Sequence, residues 1–142
     1  MAAAVAGAPK EMTMTLKVVA AVIRRRGSIL ICRRPQGKDL AGLWEFPGGK
    51  VRGGEHAAAA LVRECREELG VKVVPAGELL RSRHDYGSYS VDITFFDCTL
   101  PVGEPQGREG QHIEWVTAAE LKNYAFCPAD GGVVELLSGG TA

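Results

Sequence analysis

No stretch of this 142-residue sequence is long and apolar enough to span a bilayer; its apolar runs end well short of the roughly 18 residues required. Neither charge is in excess, since Lys and Arg total 17 and Asp and Glu total 17. A neutral chain is not a binder of polymeric nucleic acid held by bulk charge. There is no CxxC, and His56, His84 and His112 stand at no metal-ligand spacing from Cys32, Cys65, Cys98 and Cys127. That pattern reads as buried free thiols in a reducing cytoplasm, not as a zinc site or a disulfide framework. Internal repeats and linkers are absent too. What is present is ordinary: 46% hydrophobic and 24% charged residues in a chain the length of one domain. Those values exclude a disordered chain, a coiled coil and a collagen-like fibre.

Residues 1–14 are Ala-rich, with no basic residue before the short apolar run that Lys10 and Glu11 end. They are expected to form a flexible N-terminal arm rather than a signal peptide, with Met12 and Met14 as alternative starts. The folded domain is then 15–138. Leu16–Arg24 reads as a buried strand, followed by a turn at Gly27 and a returning strand over Ile29–Arg33. Arg24, Arg25 and Arg26 read as a charged turn. Pro35–Gly42 is a polar loop, Leu43–Phe46 a short strand, and Pro47-Gly48-Gly49 a break that neither helix nor strand tolerates.

The strongest helix covers Glu55–Leu69, with Gly70 as its stop. Strands are expected over Lys72–Val74 and Leu79–Asp85, with Pro75 between them, and over Tyr89–Leu100 and His112–Val116. Pro101–Gly110 is a loop rich in Gly and Pro. Thr117-Ala118-Ala119-Glu120 has the capping-box pattern before a short helix, and a last helix covers Pro128–Leu137. Strands and helices mix without regular alternation, which indicates a mixed sheet with helices on its faces.

On a helical wheel Ala58, Leu61, Val62, Cys65 and Leu69 share one stripe, directed at the core. Glu64, Glu67 and Glu68 share the neighbouring stripe, where like charges three and four residues apart repel by a few tenths of a kcal/mol per pair. Arg63 is one charge against three. A hard divalent cation with oxygen ligands answers the repulsion better, and the Gly-rich segment ahead of the helix allows close approach of backbone to a metal or an anion.

The whole segment Gly49–Val71 reads G-x5-E-x7-R-E-U-x-E-E-x-G-U, with U apolar, through Gly49, Glu55, Arg63, Glu64, Glu67, Glu68 and Gly70. It resembles the signature of the Nudix hydrolases. Seven fixed residues at background usage match by chance on the order of once in 10⁸ starts. The likeness runs from about Leu16 to Leu137, through "ICRRP", "LWEFPGGKV", "GREGQHIEW" and "CPAD". Within the family these stretches are similar to the small MutT-type nucleotide pyrophosphohydrolases and to their CTP-directed branch.

The resemblance implies an α/β fold, an α/β/α sandwich with a mixed β-sheet, and hydrolysis of a nucleoside triphosphate to monophosphate and pyrophosphate. The implied cofactor is Mg²⁺, with Mn²⁺ as its substitute. Glu64, Glu67 and Glu68 correspond to the family's metal carboxylates, the Gly49 carbonyl to its backbone ligand, and Glu109 to a carboxylate reaching the metals from outside the signature. Glu64 and Glu109 are both candidates for the general base. Glu55 and Arg63 are expected to pair, shaping loop and helix. Arg33 and Arg34 point to opposite faces, and by resemblance Arg34 is the phosphate-side residue. Phe46 is placed to stack on a base or to pack in the core.

Asp130 falls where enzymes for oxidised guanine carry an amide. An acceptor there suits the exocyclic amine of cytosine, and an N-cap for the last helix is the alternative. The strand from Tyr86 to Asp92 lacks an arginine expected near an oxidised guanine. The substrates left in competition are 8-oxo-dGTP, in nucleotide-pool sanitation, and CTP or modified dCTP. A diphosphate-linked sugar or dinucleotide substrate, and a non-catalytic nucleotide-binding domain, are the other classes. No polymeric nucleic acid and no membrane partner is expected, and the chain is expected to be a monomer or weak homodimer in the cytoplasm.

Overall fold

A computed structural model of the chain describes residues 14–139. Residues 1–13, most of the expected arm, lie outside the described residues; Met14 already belongs to the first strand. The strands are β1 Met14–Arg25, β2 Ser28–Arg33, β3 Trp44–Glu45, β4 Gly48–Lys50, β5 Val74–Asp85, β6 Tyr89–Thr99 and β7 His112–Val116. Helix α1 is Ala57–Leu69 and α2 is Gly131–Gly139, with 3₁₀ turns at Ala119–Asn123 and Pro128–Asp130.

The sheet runs β3-β2-β1-β6-β5, with β4 paired to β1 and β7 to β2. It is mixed, because β1 and β6 run parallel over Met14–Arg24 and Tyr89–Thr99 while the other pairs are antiparallel. A central strand covered on both faces must be apolar on both, which is why Val19 to Ile23 are all buried. Val19, Ala21 and Ile23 face α1 through Leu61, Cys65 and Leu69. Ala20 and Val22 face the other layer, with Phe46, Phe95, Leu121 and Val133. The four cysteines are buried and free.

Several boundaries differ from the expectation, each for a nonlocal reason. Gly48–Lys50 is a strand, not a break: it pairs with Val18–Ala20, and a Cβ on Gly48 would lie 1.9 Å from the Val19 carbonyl oxygen. Only glycine allows that approach. Pro75 does not divide β5, because an edge strand needs no donor on its outer side and bulges absorb the irregularity. Helix α1 begins at Ala57, since Glu55 takes the Arg52 N–H and the Arg63 guanidinium instead of a helical turn. Ala58 is exposed, and Ala57 and Ala60 pack against the core in its place. The capping box forms, with Glu120 N–H donating to Thr117 Oγ1 and Thr117 N–H to Glu120 Oε1, but the turn it starts is 3₁₀. The expected last helix is a 3₁₀ turn followed by α2.

Candidate active site

Three local devices build the site. The first is Arg63, which grips Glu55 with two bonds of 2.8 and 3.0 Å, Glu64 at 2.9 Å and the Lys50 carbonyl at 3.0 Å. One guanidinium thus ties the Gly-rich segment to the start of α1. The pairing holds the Glu55 carboxyl down to about 2, with the Arg63 bonds the main cause and the Arg52 N–H adding to them.

The second is the end of α1. Helix carbonyls in the last turn lack intrahelical donors and must find them elsewhere. Gly70 closes the helix in the left-handed region at φ 72°. The loop before β7 then donates Gln106 N–H to the Leu69 carbonyl and Arg108 N–H to the Glu68 carbonyl, both at 3.0 Å. Gln111 Nε2 reaches the Glu68 carbonyl at 3.2 Å. This capping sets Glu109 beside the helix. A Cβ on Gly107 would meet the Gln111 carbonyl oxygen at 2.0 Å, so the loop closes only with glycine there.

The third is the segment after the first 3₁₀ turn. Trp44 and Cys127 exchange backbone bonds along β3, Trp44 N–H to the Ala125 carbonyl and Cys127 N–H to the Trp44 carbonyl, each at 2.8 Å. That strap delivers Asp130 to the same side as the Gly-rich segment.

The result is a cleft of about 400 Å³ with Gly49, Glu64, Glu68 and Glu109 at one end and Arg34, Glu45 and Asp130 at the other. A second compartment of about 560 Å³ shares Arg34, Glu45 and Asp130 and adds Tyr86 and Tyr89. These two tyrosines stack at 5.3 Å and 27°. Tyr86 accepts the Ala129 N–H, and Tyr89 donates to Asp39 Oδ2 at 3.1 Å.

The three helix carboxylates do not share one environment. Glu68 is half-buried and faces the cleft, where its nearest donor is Gly48 N–H at 3.3 Å. Burial first, then the charges of Glu64, Glu109 and Glu45, push its carboxyl up to about 8. Glu64 has 17% of its side chain exposed and leans on Gly49, where a Cβ would lie 2.3 Å from Glu64 Cδ. Glu67 is 46% exposed and turned to Arg63 at 3.3 Å and Arg52 at 3.9 Å, outside the cleft. So Arg63 meets Glu55, Glu64 and Glu67, and Glu68 with Glu109 is the charge it leaves unanswered.

Among the described residues no three His, Cys, Asp or Glu side chains converge closely enough to enclose a metal by themselves. A closed cage is therefore not what the chain offers. Oxygen donors on one side of an open cleft, with Gly49 leaving room for Glu64, do fit a hard cation that keeps water and phosphate oxygens as its other ligands.

Arg34 sits between the two compartments, its Nη1 on Glu45 at 3.0 Å and its Nε on the Asp39 carbonyl at 2.6 Å. Arg33 points the other way, over Trp44. Phe46 is 3% exposed, with Phe126 stacked on it at 5.3 Å and Phe95 edge-on. No ring face is left for a base, so core packing, not base stacking, is its place. Asp130 is 4% exposed, and among the described residues no side-chain hydrogen bond links it to α2 or to the turn before it; the N-cap alternative falls. Arg24 and Arg25 pair with Asp97 and Glu104 at the far end of the sheet, as a charged turn should.

Sequence reasoning missed Glu45, Tyr86, Tyr89 and Gln111. Glu45 carried one signal: it is the charged residue between Trp44 and Phe46, so it must face away from their core. The tyrosines, one just past β5 and one opening β6, carried none.

Residues 18–136 match the family described as "NUDIX domain". The chain is 37% identical over 120 residues to the CTP pyrophosphohydrolase of Escherichia coli, covering 84% of this chain and 89% of that protein. It is 37% identical over 123 residues to the 8-oxo-dGTP diphosphatase of Haemophilus influenzae, covering 86% and 90%. The crystal structure of the MutT protein from Methanosarcina mazei superposes with a TM-score of 0.81 at 24% identity, over 92% of this chain and 97% of that one, a likeness of fold. With the signature filled from Gly49 to Gly70, its carboxylates beside an open cleft, and a family match over residues 18–136, the chain belongs to the Nudix hydrolase family.

Proposed function

We propose that the chain is a Mg²⁺-dependent nucleoside triphosphate pyrophosphohydrolase of the MutT type, acting on cytosine or oxidised-guanine nucleotides in the cytoplasm. The observation that carries this reading is the division of one continuous cleft: acidic at the Glu64, Glu68 and Glu109 end, and aromatic and polar at the Asp130, Arg34, Glu45 and Tyr86 end. A triphosphate fits the first end with its nucleobase in the second. The two relatives named above, one acting on CTP and one on 8-oxo-dGTP, support that class of substrate.

A bound divalent cation supplies positive charge against the triphosphate and lowers the pKa of water. Glu64 and Glu68 would hold it, Glu64 against the Gly49 backbone and Glu68 beside the Gly48 N–H. Glu67 reaches it only by leaving Arg63. Glu64 is engaged by Arg63 at 2.9 Å, whereas Glu109 makes no ion pair among the described residues. Glu109 is therefore the better-placed acceptor of the attacking water's proton. Arg63 acts at a distance, fixing Glu64 and the Gly-rich segment together. Arg34 joins the two compartments and is placed to orient the substrate between them.

The test is pyrophosphate release from a panel of ordinary, oxidised and methylated nucleoside triphosphates, with Mg²⁺, with Mn²⁺ and with excess EDTA. Monophosphate and pyrophosphate should form only with a divalent cation present. Turnover undiminished in EDTA removes the cation from the reading; release of orthophosphate alone removes the cleavage position.

A further inference from the structure

Asp130 is buried where the two compartments of the cleft meet and lines both. Its backbone N–H bonds the Cys127 carbonyl at 2.9 Å, and among the described residues no donor reaches its carboxyl oxygens. Every fully enclosed side-chain oxygen and nitrogen among those residues has a partner, so the Asp130 oxygens open into the cavity that they line. The one guanidinium on this wall, Arg34, gives Nη1 to Glu45 and Nε to the Asp39 carbonyl. Two carboxyls, Glu45 and Asp130, thus share one cation that is bonded to only one of them.

The other titratable groups near Asp130 do not supply the missing charge. Cys127, on its own turn, is a thiol pushed up to about 12 by burial, and Tyr86, just past β5, is raised by burial as well; both are neutral near pH 7. Tyr89 is bonded to Asp39. Lys38 acts on Glu45, and among the described residues Lys50, which lines both compartments, pairs with neither carboxyl. A second buried anion beside Glu45 is costly, and a proton on one of the two removes the cost.

Resting on the reading that this cleft takes a nucleoside triphosphate, we propose that Asp130 meets the nucleobase as a carboxylic acid, its hydroxyl donating and its carbonyl accepting along one edge of the base. Burial, with the charge of Glu45 added and Arg34 offsetting only part, holds its carboxyl well above the usual carboxylate range. A neutral acid differs from a carboxylate in what it reads. It pairs with any edge that sets an acceptor beside a donor, and it does so in either order because the proton sits on either oxygen. Cytosine offers N3 beside its N4 amine; 8-oxoguanine offers O6 beside N7–H. One side chain then serves both bases, and an amide in its place does the same. A carboxylate faces N3 of cytosine with a second lone pair and loses that contact.

The experiment joins a titration to a substitution series in the full chain. First, the carboxyl carbon of Asp130 is followed by ¹³C NMR in aspartate-labelled protein without nucleotide, assigned by its loss in Asp130→Asn. It should remain protonated at pH 7; titration in the ordinary carboxylate range overturns the proposal. Second, kcat/KM for dCTP and 8-oxo-dGTP is measured from pH 6 to 9 in wild type, Asp130→Asn and Asp130→Leu. The Asn variant should stay within about threefold of wild type at pH 7 on both substrates, and Leu, which removes both hydrogen bonds, should lose about tenfold or more on both. As pH rises the wild-type/Asn ratio for dCTP should fall or stay level. A loss of about tenfold on dCTP in the Asn variant at pH 7 overturns the acid in favour of a plain acceptor. A Leu variant with wild-type kcat/KM overturns base reading by Asp130 altogether. Melting temperature separates misfolding from lost recognition, since Leu at a buried carboxyl without a partner should not lower it. Absence of hydrolysis on the whole nucleotide panel overturns the substrate reading, and the titration still decides the acid.

Discussion

Replacing Glu68 by Gln should make the metal-free protein more stable and the enzyme inactive. An ordinary glutamate loses its proton near 4.5, and Glu68 holds its own to about 8. Between those pH values the unfolded chain ionises at this position and the folded chain does not. Rising pH therefore draws a proton from the unfolded state only, and folding stability falls. The slope is at most about 1.4 kcal/mol per pH unit, so from 4.5 to 7 the loss is about 3 kcal/mol. Glu68 keeps some contact with water in the cleft, which brings the expectation to about 2 kcal/mol. Gln keeps the shape and the Gly48 contact and has no proton to lose. At pH 7 in EDTA, Glu68→Gln should melt roughly 6 °C above wild type, and at pH 4.5 the two should coincide. Mg²⁺ should reverse the order, because ligand binding raises the stability only of the protein that binds it. The assay is thermal unfolding of both proteins at the two pH values, with EDTA and with excess Mg²⁺. If Glu68→Gln is no more stable than wild type at pH 7 in EDTA, the crowding of carboxylates around it has been misread. If it gains as much from Mg²⁺ as wild type, Glu68 is not a ligand.

The two neighbouring glycines should fail differently. In Gly48→Ala the new Cβ meets backbone, the Val19 carbonyl oxygen, and the protein should lose its cooperative melt or fall by roughly 3 kcal/mol or more. In Gly49→Ala it meets the Glu64 carboxylate, a movable side-chain end, so turnover should drop at least about tenfold with a much smaller change in melting temperature. Glu109→Gln should lower kcat about 100-fold or more and leave the melting curve unchanged, since no ion pair is lost. Glu67→Gln should cost less kcat than Glu64→Gln or Glu68→Gln, because Glu67 acts from outside the cleft; equal losses in all three would place it inside.

How much of this was legible depends on whether the cause was local. The helix, its glycine stop and the Glu55–Arg63 pair follow from spacing within one segment, and periodicity or a signature exposes them. The strand Gly48–Lys50 does not, because its only reason is a ladder to Val18–Ala20 some thirty residues earlier. A run of Pro and Gly looks like a break until the partner is known. Phe46 was open for the same reason: an aromatic beside a Gly-rich turn suits a core or a base equally, and only Phe95 and Phe126, far along the chain, decide it. Glu67 and Glu68 are adjacent in sequence and opposite in circumstance, one exposed on Arg63 and one facing the cleft. A wheel drawn at 100° per residue separates neighbouring side chains but cannot say where the wall of the cleft falls.

Both ends of the cleft collect more negative charge than the protein neutralises, and on the reading proposed here they resolve it in different ways. At the phosphate end Arg63 takes up Glu55, Glu64 and Glu67, and leaves Glu68 and Glu109 unneutralised until a cation binds. That excess is useful only if the carboxylates ionise when the cation binds, so binding should release a proton and weaken as pH falls below about 8. At the base end no cation is expected, and Arg34 is already shared by Glu45 and the Asp39 carbonyl. There the charge is removed by a proton that stays. Calorimetry in two buffers of different ionisation enthalpy separates the cases: Mg²⁺ alone should release a proton near pH 7, and that release should survive Asp130→Asn and vanish in Glu68→Gln. Release that disappears with Asp130 instead would mean that the two ends titrate as one system, and that the division of labour along the cleft is wrong.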